Sequence, residues 1–596
     1  MSRHLYRTYL MVLLILTAQP ADMAAQSLSL NTISTIAKSD PLIITGAVGT
    51  QNTYRYSSAG TGYAQPFSNS IYANLNISVY GISMPFALYF TNDGLDWNFP
   101  HLAFRLTPAY RNWRGHFGQS TMAFSPYVMN TSFNGIGLEY NSEKIRAGVF
   151  YGILRNAIND DPTDPFARRP QYKRVGWGFK AGYGSGRNYI DLYLLRAYDR
   201  PKSLDEAWRR YISPQENIVI GLKGGLAPTR WLSFSANAAV SLFSTDTEAP
   251  KIDSLNTGFN KIMDLRYSSL ARFAGDANVN LTFPGISTSI TYRIVQPDYT
   301  SLGTYYMANN YHSLGITLNT MLFRKVALSG NFSGQSDNLT DKQMYTTRGF
   351  IYSANASTRI GQHFNIAAGY NGYTQIQSDG TMPINDTTRV HRRTSSLTIT
   401  PSYMTDNDLL GHAVFLSFNR TTNRDLNRFA TGQSDVKTIA IGANYTMSVK
   451  PWSTDFGLSF SSQQSRGYKT KYMSHIGTLT TGHTFFEENP LNVSGSFSII
   501  YNEVERQSKS LNIGGDISAS FTLKQYHVFS ASASFYKYGD VNPTKLRSGL
   551  DRTDITVSLN YAYTFSLFAI RNKENRSIFK KKWMQRVVKI SEGFSE

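Results

Sequence analysis

The sequence contains no cysteine in 596 residues. Disulfide bonds, thiolate metal sites and a lipid attached to an N-terminal cysteine are therefore excluded. Beyond about the first twenty residues the chain also lacks any apolar run approaching the roughly 18 residues that a membrane-spanning helix needs. Mean hydropathy is only −0.31. An α-helical membrane protein is excluded by these absences.

The N-terminus is typical of a secretory signal peptide. Arg3 and Arg7 precede the short apolar run Tyr9–Ala18, and a positive segment followed by an apolar core is the pattern of such signals. Cleavage is predicted after Ala25, although Met23 departs from the preference for small residues near the cut. The alternative of a retained anchor is disfavoured, because the apolar run is too short to span a bilayer.

What the chain has instead is aromatic residues and strict alternation. It contains 38 Tyr and 35 Phe. From Ile555 to Leu567 apolar and polar residues alternate without a break, which places one oily and one polar face on a β-strand. A run of this length suits a tilted strand crossing a bilayer in roughly 9–11 residues. Similar alternation occurs in residues 232–242, 439–449, 491–501 and 511–523.

Connections between these strands alternate between short, turn-forming segments and long polar ones. Short periplasmic turns opposite long extracellular loops are the signature of outer-membrane β-barrels. The sequence therefore predicts an all-β, transmembrane antiparallel barrel of about 26 strands, with 24 as the alternative, and both termini in the periplasm. Residues 83–133 are less regular because Pro85, Pro108 and Pro126 interrupt the alternation. This region is predicted to hold three or four strands, or a segment folded into the lumen.

The predicted organisation has four parts. These are the signal peptide 1–25, the leader 26–41, the barrel 42–568 and the tail 569–596. The leader is predicted to be either a periplasmic segment or a small plug. The basic tail is predicted either to dock on a periplasmic partner or anionic lipid through Lys580, Lys581 and Lys582, or to be a solvated extension.

No catalytic, metal or cofactor site is predicted. The histidines are scattered among different strands and turns, and the chain has no Gly-x-Ser-x-Gly motif, so a hydrolase built on a Ser–His pair is disfavoured. The carboxylate clusters do not show the spacing of a calcium loop. No feature indicates nucleic-acid binding.

Charges on the polar parity of the strands are the candidates for selectivity, because a charge facing lipid is costly. This parity predicts that five charged side chains face the lumen: Lys144, Arg146, Asp191, Asp516 and Asp554. A possible helix at 203–212, capped by Ser203, carries Trp208, Arg209 and Arg210, which either form a loop recognition patch or pack the loop. The net charge of +19 indicates either an anion-attracting lumen or basic loops that meet lipid phosphates and lipopolysaccharide.

The signal peptide, the alternating strands and the absence of cysteine resemble large Gram-negative outer-membrane β-barrels, and the Tyr-, Asn- and Ser-rich strands resemble those of Bacteroidota. No motif ties the chain to one characterised family. Transporters that depend on TonB carry a large plug before the barrel, whereas only residues 26–41 are available here. Barrel insertases and the lipopolysaccharide translocon carry soluble domains that the sequence lacks.

The sequence therefore predicts a porin-like channel or translocation pore for polar or anionic solutes or a polymer. The alternative is a non-enzymatic scaffold that binds a surface lipoprotein or a periplasmic partner through its loops or tail. Outer-membrane lipid, lipopolysaccharide and the barrel assembly machinery are the further expected partners.

Overall fold

The computed structural model describes residues 41–59, 66–80, 82–92, 102–160, 168–252, 263–505, 508–541 and 552–570. The predicted signal peptide, nearly all of the leader, and Lys580, Lys581 and Lys582 lie outside these ranges. The strands are β1 (Leu42–Ser57), β2 (Phe67–Val79), β3 (Ile82–Thr91), β4 (Leu102–Leu106), β5 (Ala109–Tyr110), β6 (Trp113–Ser120), β7 (Phe133–Asn141), β8 (Ile145–Arg155), β9 (Arg174–Ser185), β10 (Asn188–Asp199), β11 (Glu216–Leu226), β12 (Leu232–Ser244), β13 (Ser269–Phe283), β14 (Ile286–Val295), β15 (Tyr311–Leu322), β16 (Val326–Asp337), β17 (Tyr345–Ile360), β18 (Phe364–Asp379), β19 (His391–Asp406), β20 (Leu410–Asp425), β21 (Val436–Val449), β22 (Thr454–Arg466), β23 (Lys471–Phe485), β24 (Leu491–Val504), β25 (Ser508–Leu523), β26 (His527–Tyr538) and β27 (Arg552–Ile570).

These strands form one closed antiparallel β-barrel of 26 strands. The count is 26 because β4 and β5 are two segments of one strand: both pair with β3 and β6, and Pro108 interrupts the ladder between them. β1 pairs with β27 and closes the ring, with Thr53 Oγ1 and Ser558 Oγ 3.1 Å apart across the seam. The predicted fold and strand number are confirmed.

The chain divides into two compact units. The larger unit, residues 45–75 and 84–566, contains the closed ring of strands. The described part of the smaller unit contains the ends of β1, β2, β3 and β27. Within that smaller unit Tyr80 N–H donates to Pro41 C=O over 3.3 Å, and Ser83 Oγ donates to Asn76 Oδ1 over 2.8 Å.

Simple geometry gives the width of the ring in the larger unit. Neighbouring strands lie about 4.8 Å apart, and strands of such barrels tilt by about 40°. A ring of 26 strands is therefore about 50 Å across between backbones. Wall side chains alone do not fill a barrel of this size.

Tight turns on one end of the larger unit do not all use the expected turn formers. In the β15–β16 turn both Phe323 and Arg324 have positive φ, 55° and 56°, and in the β25–β26 turn Lys524 and Gln525 do the same at 51° and 64°. Positive φ at both central residues defines the β-turn type whose twist matches that of the flanking strands. The hairpins therefore impose this conformation on bulky residues.

The irregular region 83–133 contains both of the predicted features. β3, the interrupted strand β4–β5 and β6 belong to the wall. Residues 121–132, which follow β6, leave the wall and pack as irregular chain against its buried face.

Helical structure is short in the described residues. A 3₁₀ turn at Pro201–Ser203 precedes α1 (Glu206–Arg209), and a second 3₁₀ turn spans Lys450–Trp452. The predicted cap is wrong, because Asp205 and not Ser203 is the N-cap residue of α1. Ser203 Oγ donates instead to Arg200 C=O. Nowhere in the described ranges is a helix long and apolar enough to cross a membrane.

Candidate functional site

The two faces of the wall differ in polarity. In β8, for example, Phe150 is 1% exposed whereas the adjacent Val149 and Tyr151 are 49% and 47% exposed. Exposed aliphatic and aromatic side chains continue around the ring on the parity of Val149, which is the oily outer face expected of a membrane barrel. The parity of Phe150 therefore faces the lumen.

Two connections fold against this lumen face, and we call them together the inset. The inset consists of residues 121–132, between β6 and β7, and residues 296–310, between β14 and β15. The two segments pair with each other through a parallel bridge between Met129 and Gly303. Ser301 Oγ donates to Val128 C=O over 2.5 Å, and Tyr299 Oη donates to Tyr127 C=O over 2.9 Å.

A buried apolar cluster attaches the inset to one side of the lumen. Val128 is fully buried and Met129 is 2% exposed, so the centre of the inset is excluded from solvent as completely as the core of a soluble protein. The wall residues of this cluster come from β7, β8 and β10 to β14: Phe133, Phe150, Tyr193, Leu195, Val219, Ala239, Ala274 and Val295. Full burial of a Val, Leu or Phe side chain contributes about 1.5–3 kcal/mol, so the larger members of the cluster hold the inset firmly.

Polar side chains of the wall also hold the inset. Tyr127 Oη donates to Asp276 Oδ1 over 2.7 Å, and Ser125 Oγ donates to Asn237 Oδ1 over 2.8 Å. The second segment is held by Asn217 Oδ1, which accepts from Leu302 N–H over 3.0 Å. Because each bond pairs a specific side chain with a specific partner, these contacts both stabilise the inset and determine its position on the wall.

The hydroxyl of Tyr127 remains a hydrogen-bond donor over the physiological pH range. Its side chain is 5% exposed, and burial, followed by the hydrogen bond to Asp276, raises the pKa of the Tyr127 hydroxyl above its ordinary value. Burial likewise raises the pKa of Tyr299. Both hydroxyls therefore keep their protons at neutral pH.

Two ion pairs on the lumen face each reach across a glycine in the strand between the partners. Arg146 of β8 and Asp191 of β10 are both in register with Gly182 of β9, and Arg146 Nη2 lies 2.8 Å from Asp191 Oδ1. A Cβ at Gly182 would collide with Asp191 Oδ1. The missing side chain is what lets the guanidinium reach its partner two strands away.

The second pair is more deeply buried. Glu139 of β7 and Lys180 of β9 are in register with Gly148 of β8, and their charged groups are in contact. His116 Nε2 lies 3.1 Å from the other carboxylate oxygen of Glu139, and Lys180 Nζ donates to Ala123 C=O of the inset over 3.2 Å. The ion pair thus connects the wall to the inset.

The remaining predicted lumen charges occupy different settings. Lys144 is exposed in the turn before β8, and only its backbone C=O, which accepts from Gly184 N–H, takes part in the ladder. Asp516 of β25 accepts from Ser496 Oγ of β24 over 2.7 Å. Asp554 of β27 pairs with Arg552 Nε on its own strand at 2.9 Å. The structure brings together only Arg146 and Asp191 of the five.

The loop residues singled out from the sequence contact their neighbours. Trp208 Nε1 donates to Asp160 C=O over 2.7 Å, and its ring lies 6.4 Å from that of Tyr211. Arg209 Nε donates to Leu204 C=O over 2.9 Å, whereas Arg210 follows the helix and is exposed. Trp208 therefore packs one long connection against another.

The opposite side of the lumen carries no such packing in the described residues. None of the side chains in the buried apolar clusters comes from β16 to β27. The lumen face there is lined by small polar side chains that bond to one another, such as Ser494 with Ser518 at 2.7 Å and Thr438 with Ser465 at 2.8 Å. We call this side, β16 to β26, the bare arc.

Sites for other chemistry were sought in the same residues. Among the described residues no group of three or more His, Asp or Glu is placed to hold a metal ion. His116 bonds a carboxylate and His483 bonds Thr454, but within the described ranges no histidine bonds both a serine and a carboxylate.

Solved structures that resemble this chain share little of its sequence. No family model matches the chain, and no curated protein matches its sequence. Similar solved structures include the P pilus usher (PapC) translocation pore, at 10% identity over 88% of this chain and 100% of that one with a TM-score of 0.36. The outer membrane protein OpdK from Pseudomonas aeruginosa shows 10% identity over 63% and 98%, with a TM-score of 0.29. Acinetobacter baumannii OccAB2 shows 10% identity over 59% and 93%, with a TM-score of 0.28. Similarity of this degree identifies neither a family nor a transported substance.

Proposed function

We propose that the protein is an outer-membrane channel for polar solutes, with a lumen narrowed from one side by the inset. The observation that carries this proposal is the asymmetry of the lumen. The inset covers β7 to β14, while the bare arc presents hydroxyl and amide groups to the interior. A polar, water-accepting surface along a wide ring suits the passage of hydrated solutes.

The same proposal places the long connections outside the cell, and it places the start of β1 and the end of β27, and with them both chain termini, on the periplasmic side. It is supported by the outward band of exposed apolar side chains and by the separation of short turns from long connections at opposite ends of the strands.

The experiment is single-channel recording of the purified protein in planar bilayers. Wild type is expected to give a discrete conductance, and a variant in which residues 122–131 are replaced by a short Gly-Ser linker is expected to give a larger one. Shortening the β20–β21 connection, residues 428–434, is the control, because its hydrogen bonds and ion pairs join the neighbouring connection and the end of β20, and not the inset. A silent bilayer, or equal conductance of wild type and the linker variant, would contradict the proposal. Reversal potentials in a salt gradient measure any preference for anions.

A second candidate function, binding of a surface partner, is favoured by exposed aromatic residues: Tyr211 lies on the β10–β11 connection, and Tyr305 and Tyr306 lie on an exposed part of the inset. Tyr305 is 93% exposed, Tyr211 79% and Tyr306 78%, and exposed tyrosines are enriched at protein interfaces. Substituting these three by serine should abolish co-purification of a surface protein from native membranes. Phe323, 87% exposed in a tight turn at the other end, is the control. Unchanged co-purification in the triple variant would exclude this function.

A further inference from the structure

A cluster of arginines lies on the outer face of the wall, outside the lumen described above. Arg393 of β19 is in register with Arg424 of β20, and Arg420 is in register with Leu397. All three arginines are exposed. We call Arg393, Arg420 and Arg424 the arginine patch.

The face of the patch follows from the alternation of the strands. Thr398 on β19 and Asn419 on β20 belong to the opposite parity, where they hydrogen-bond across the strands over 2.8 Å as part of the polar lumen lining. The parity of the patch instead carries Leu397 and Phe418. The arginines therefore point away from the lumen, beside apolar side chains of the membrane-facing band.

The patch has no acidic partner in the described part of the chain. None of the three arginines forms a salt bridge to a described carboxylate. Arg393 donates to Tyr352 Oη over 3.3 Å and also hydrogen-bonds the hydroxyl of Tyr370. Like charges directly opposite each other on adjacent strands destabilise a sheet, and Arg393 and Arg424 are such a pair. A charge on the lipid face is also costly, and more so the deeper it lies in the bilayer. An external anion would remove both penalties.

The surroundings specify the kind of anion. The patch lines a cavity of about 300 Å³ together with Tyr370, Ser395, Leu397, Thr422 and Leu426, so it offers hydroxyl donors beside the guanidinium groups and apolar walls on either side. Arginine binds phosphate bidentately through its planar fork. The adjacent apolar band suits acyl chains, which a free phosphate does not have.

Basic side chains extend the patch along the outer face. Lys437 of β21 is in register with Thr422 and with Arg466 of β22, so both lie on the same parity as the patch. From β19 to β22 these cations span three strand spacings, about 14 Å. A row of this length exceeds one phosphate group and matches a head group that carries two.

We propose that the arginine patch, extended by Lys437 and Arg466, binds a diphosphorylated glycolipid of the lipid A type. Its phosphates pair with the arginines and its acyl chains lie along the apolar band below them. The patch lies near the ends of β19 and β20 that lead into the long connections, so the assignment to the outer leaflet rests on the proposed orientation of the barrel.

Native mass spectrometry of the detergent-purified full chain tests this, with diphosphoryl lipid A as the probe. Wild type should retain the lipid, and the triple variant Arg393→Ser, Arg420→Ser, Arg424→Ser should lose affinity at least about tenfold, since each charged hydrogen bond is replaced by a weaker one. The control is Arg392→Ser, one residue from Arg393 but on the lumen face; it removes one positive charge, as the single variant Arg424→Ser does, and it should bind normally. The single variant Arg424→Ser, expected to show a smaller loss, serves if the triple variant does not fold.

Measurements with other lipids and with free phosphate identify the ligand. Dephosphorylated lipid A should not bind, and millimolar inorganic phosphate should not displace the bound lipid. Equal binding by the triple variant, an equal loss in Arg392→Ser, or retention of the dephosphorylated lipid would overturn the proposal. Equal affinity for phosphatidylglycerol would overturn the assignment to lipid A. Conductance of the same variants is measured in parallel, so failure of lipid binding is distinguishable from failure of the channel proposal.

Discussion

The hydroxyl of Tyr127 offers a one-atom test of how the inset is held. Tyr127→Phe keeps the buried ring but removes the hydrogen bond to Asp276, which is 2.7 Å long in the structure. A hydrogen bond to a charged group contributes about 1.5–3 kcal/mol. Since 1.4 kcal/mol corresponds to a factor of ten, the ratio of attached to detached inset should fall by about 10- to 150-fold.

Single-channel recording measures this ratio as the fraction of time spent in a larger conductance state. Tyr127→Phe should lengthen visits to that state, and hydrogen exchange of residues 121–132 should accelerate in parallel. The matched control is Tyr305→Phe in the same inset, because the Tyr305 ring is 93% exposed. The reasoning is refuted if Tyr127→Phe shows wild-type dwell times and wild-type exchange, or if Tyr305→Phe changes both equally.

Three further predictions concern charges. Gly182→Ala places a Cβ against Asp191 and should break its ion pair with Arg146. The barrel should lose about 1–3 kcal/mol of stability, measured as a lower unfolding temperature in a heat-modifiability gel. Lys180→Met leaves the buried carboxylate of Glu139 without its cation and should cost about 3–5 kcal/mol in the same assay. Hydrogen bonds from Arg168 lower the pKa of the Asp160 carboxyl to about 2. The contact between Asp160 and Arg168 should therefore be complete above about pH 4 and lost as the pH falls through about 2. Hydrogen exchange of the backbone around Asp160 and Arg168 measures this loss.

Each of these predictions has its own control. Gly477→Ala adds a methyl group where nothing lies within 4 Å, and it should leave unfolding unchanged. Adding Glu139→Gln to Lys180→Met should recover part of the lost stability, because the uncompensated charge is then absent. Asp160→Asn should remove the step in exchange between pH 4 and 2. A step that persists in this variant would assign it to another group.

Much of the wall could be predicted from the sequence because its determinants are local. In β27 the alternation from Ile555 onward is a property of neighbouring residues, and the same holds for β12, β21, β24 and β25. The number of strands followed from counting such runs. Pro108 divides one strand into two segments, and the interruption was visible as a break in the pattern.

The inset could not be predicted to the same depth. Its two segments are separated by more than a hundred residues, and the burial of Val128 depends on Ser301 and Tyr299 in the second segment. The apolar composition of residues 121–132 was a usable signal, but nothing local indicates which wall strands receive it. Likewise, parity placed Arg146 and Asp191 on one face, whereas their contact depends on the register of β8, β9 and β10 around Gly182.

The asymmetry of the lumen has a mechanical consequence. Between β7 and β14 the inset braces the wall from within, so bending this part of the ring would disrupt a packed core. Along the bare arc, resistance comes from the ladder hydrogen bonds and small contacts between polar side chains. Lateral pressure from the surrounding bilayer should therefore deform the bare arc first. The ring has one stiff half and one compliant half, and changes in its cross-section should be confined to the compliant half.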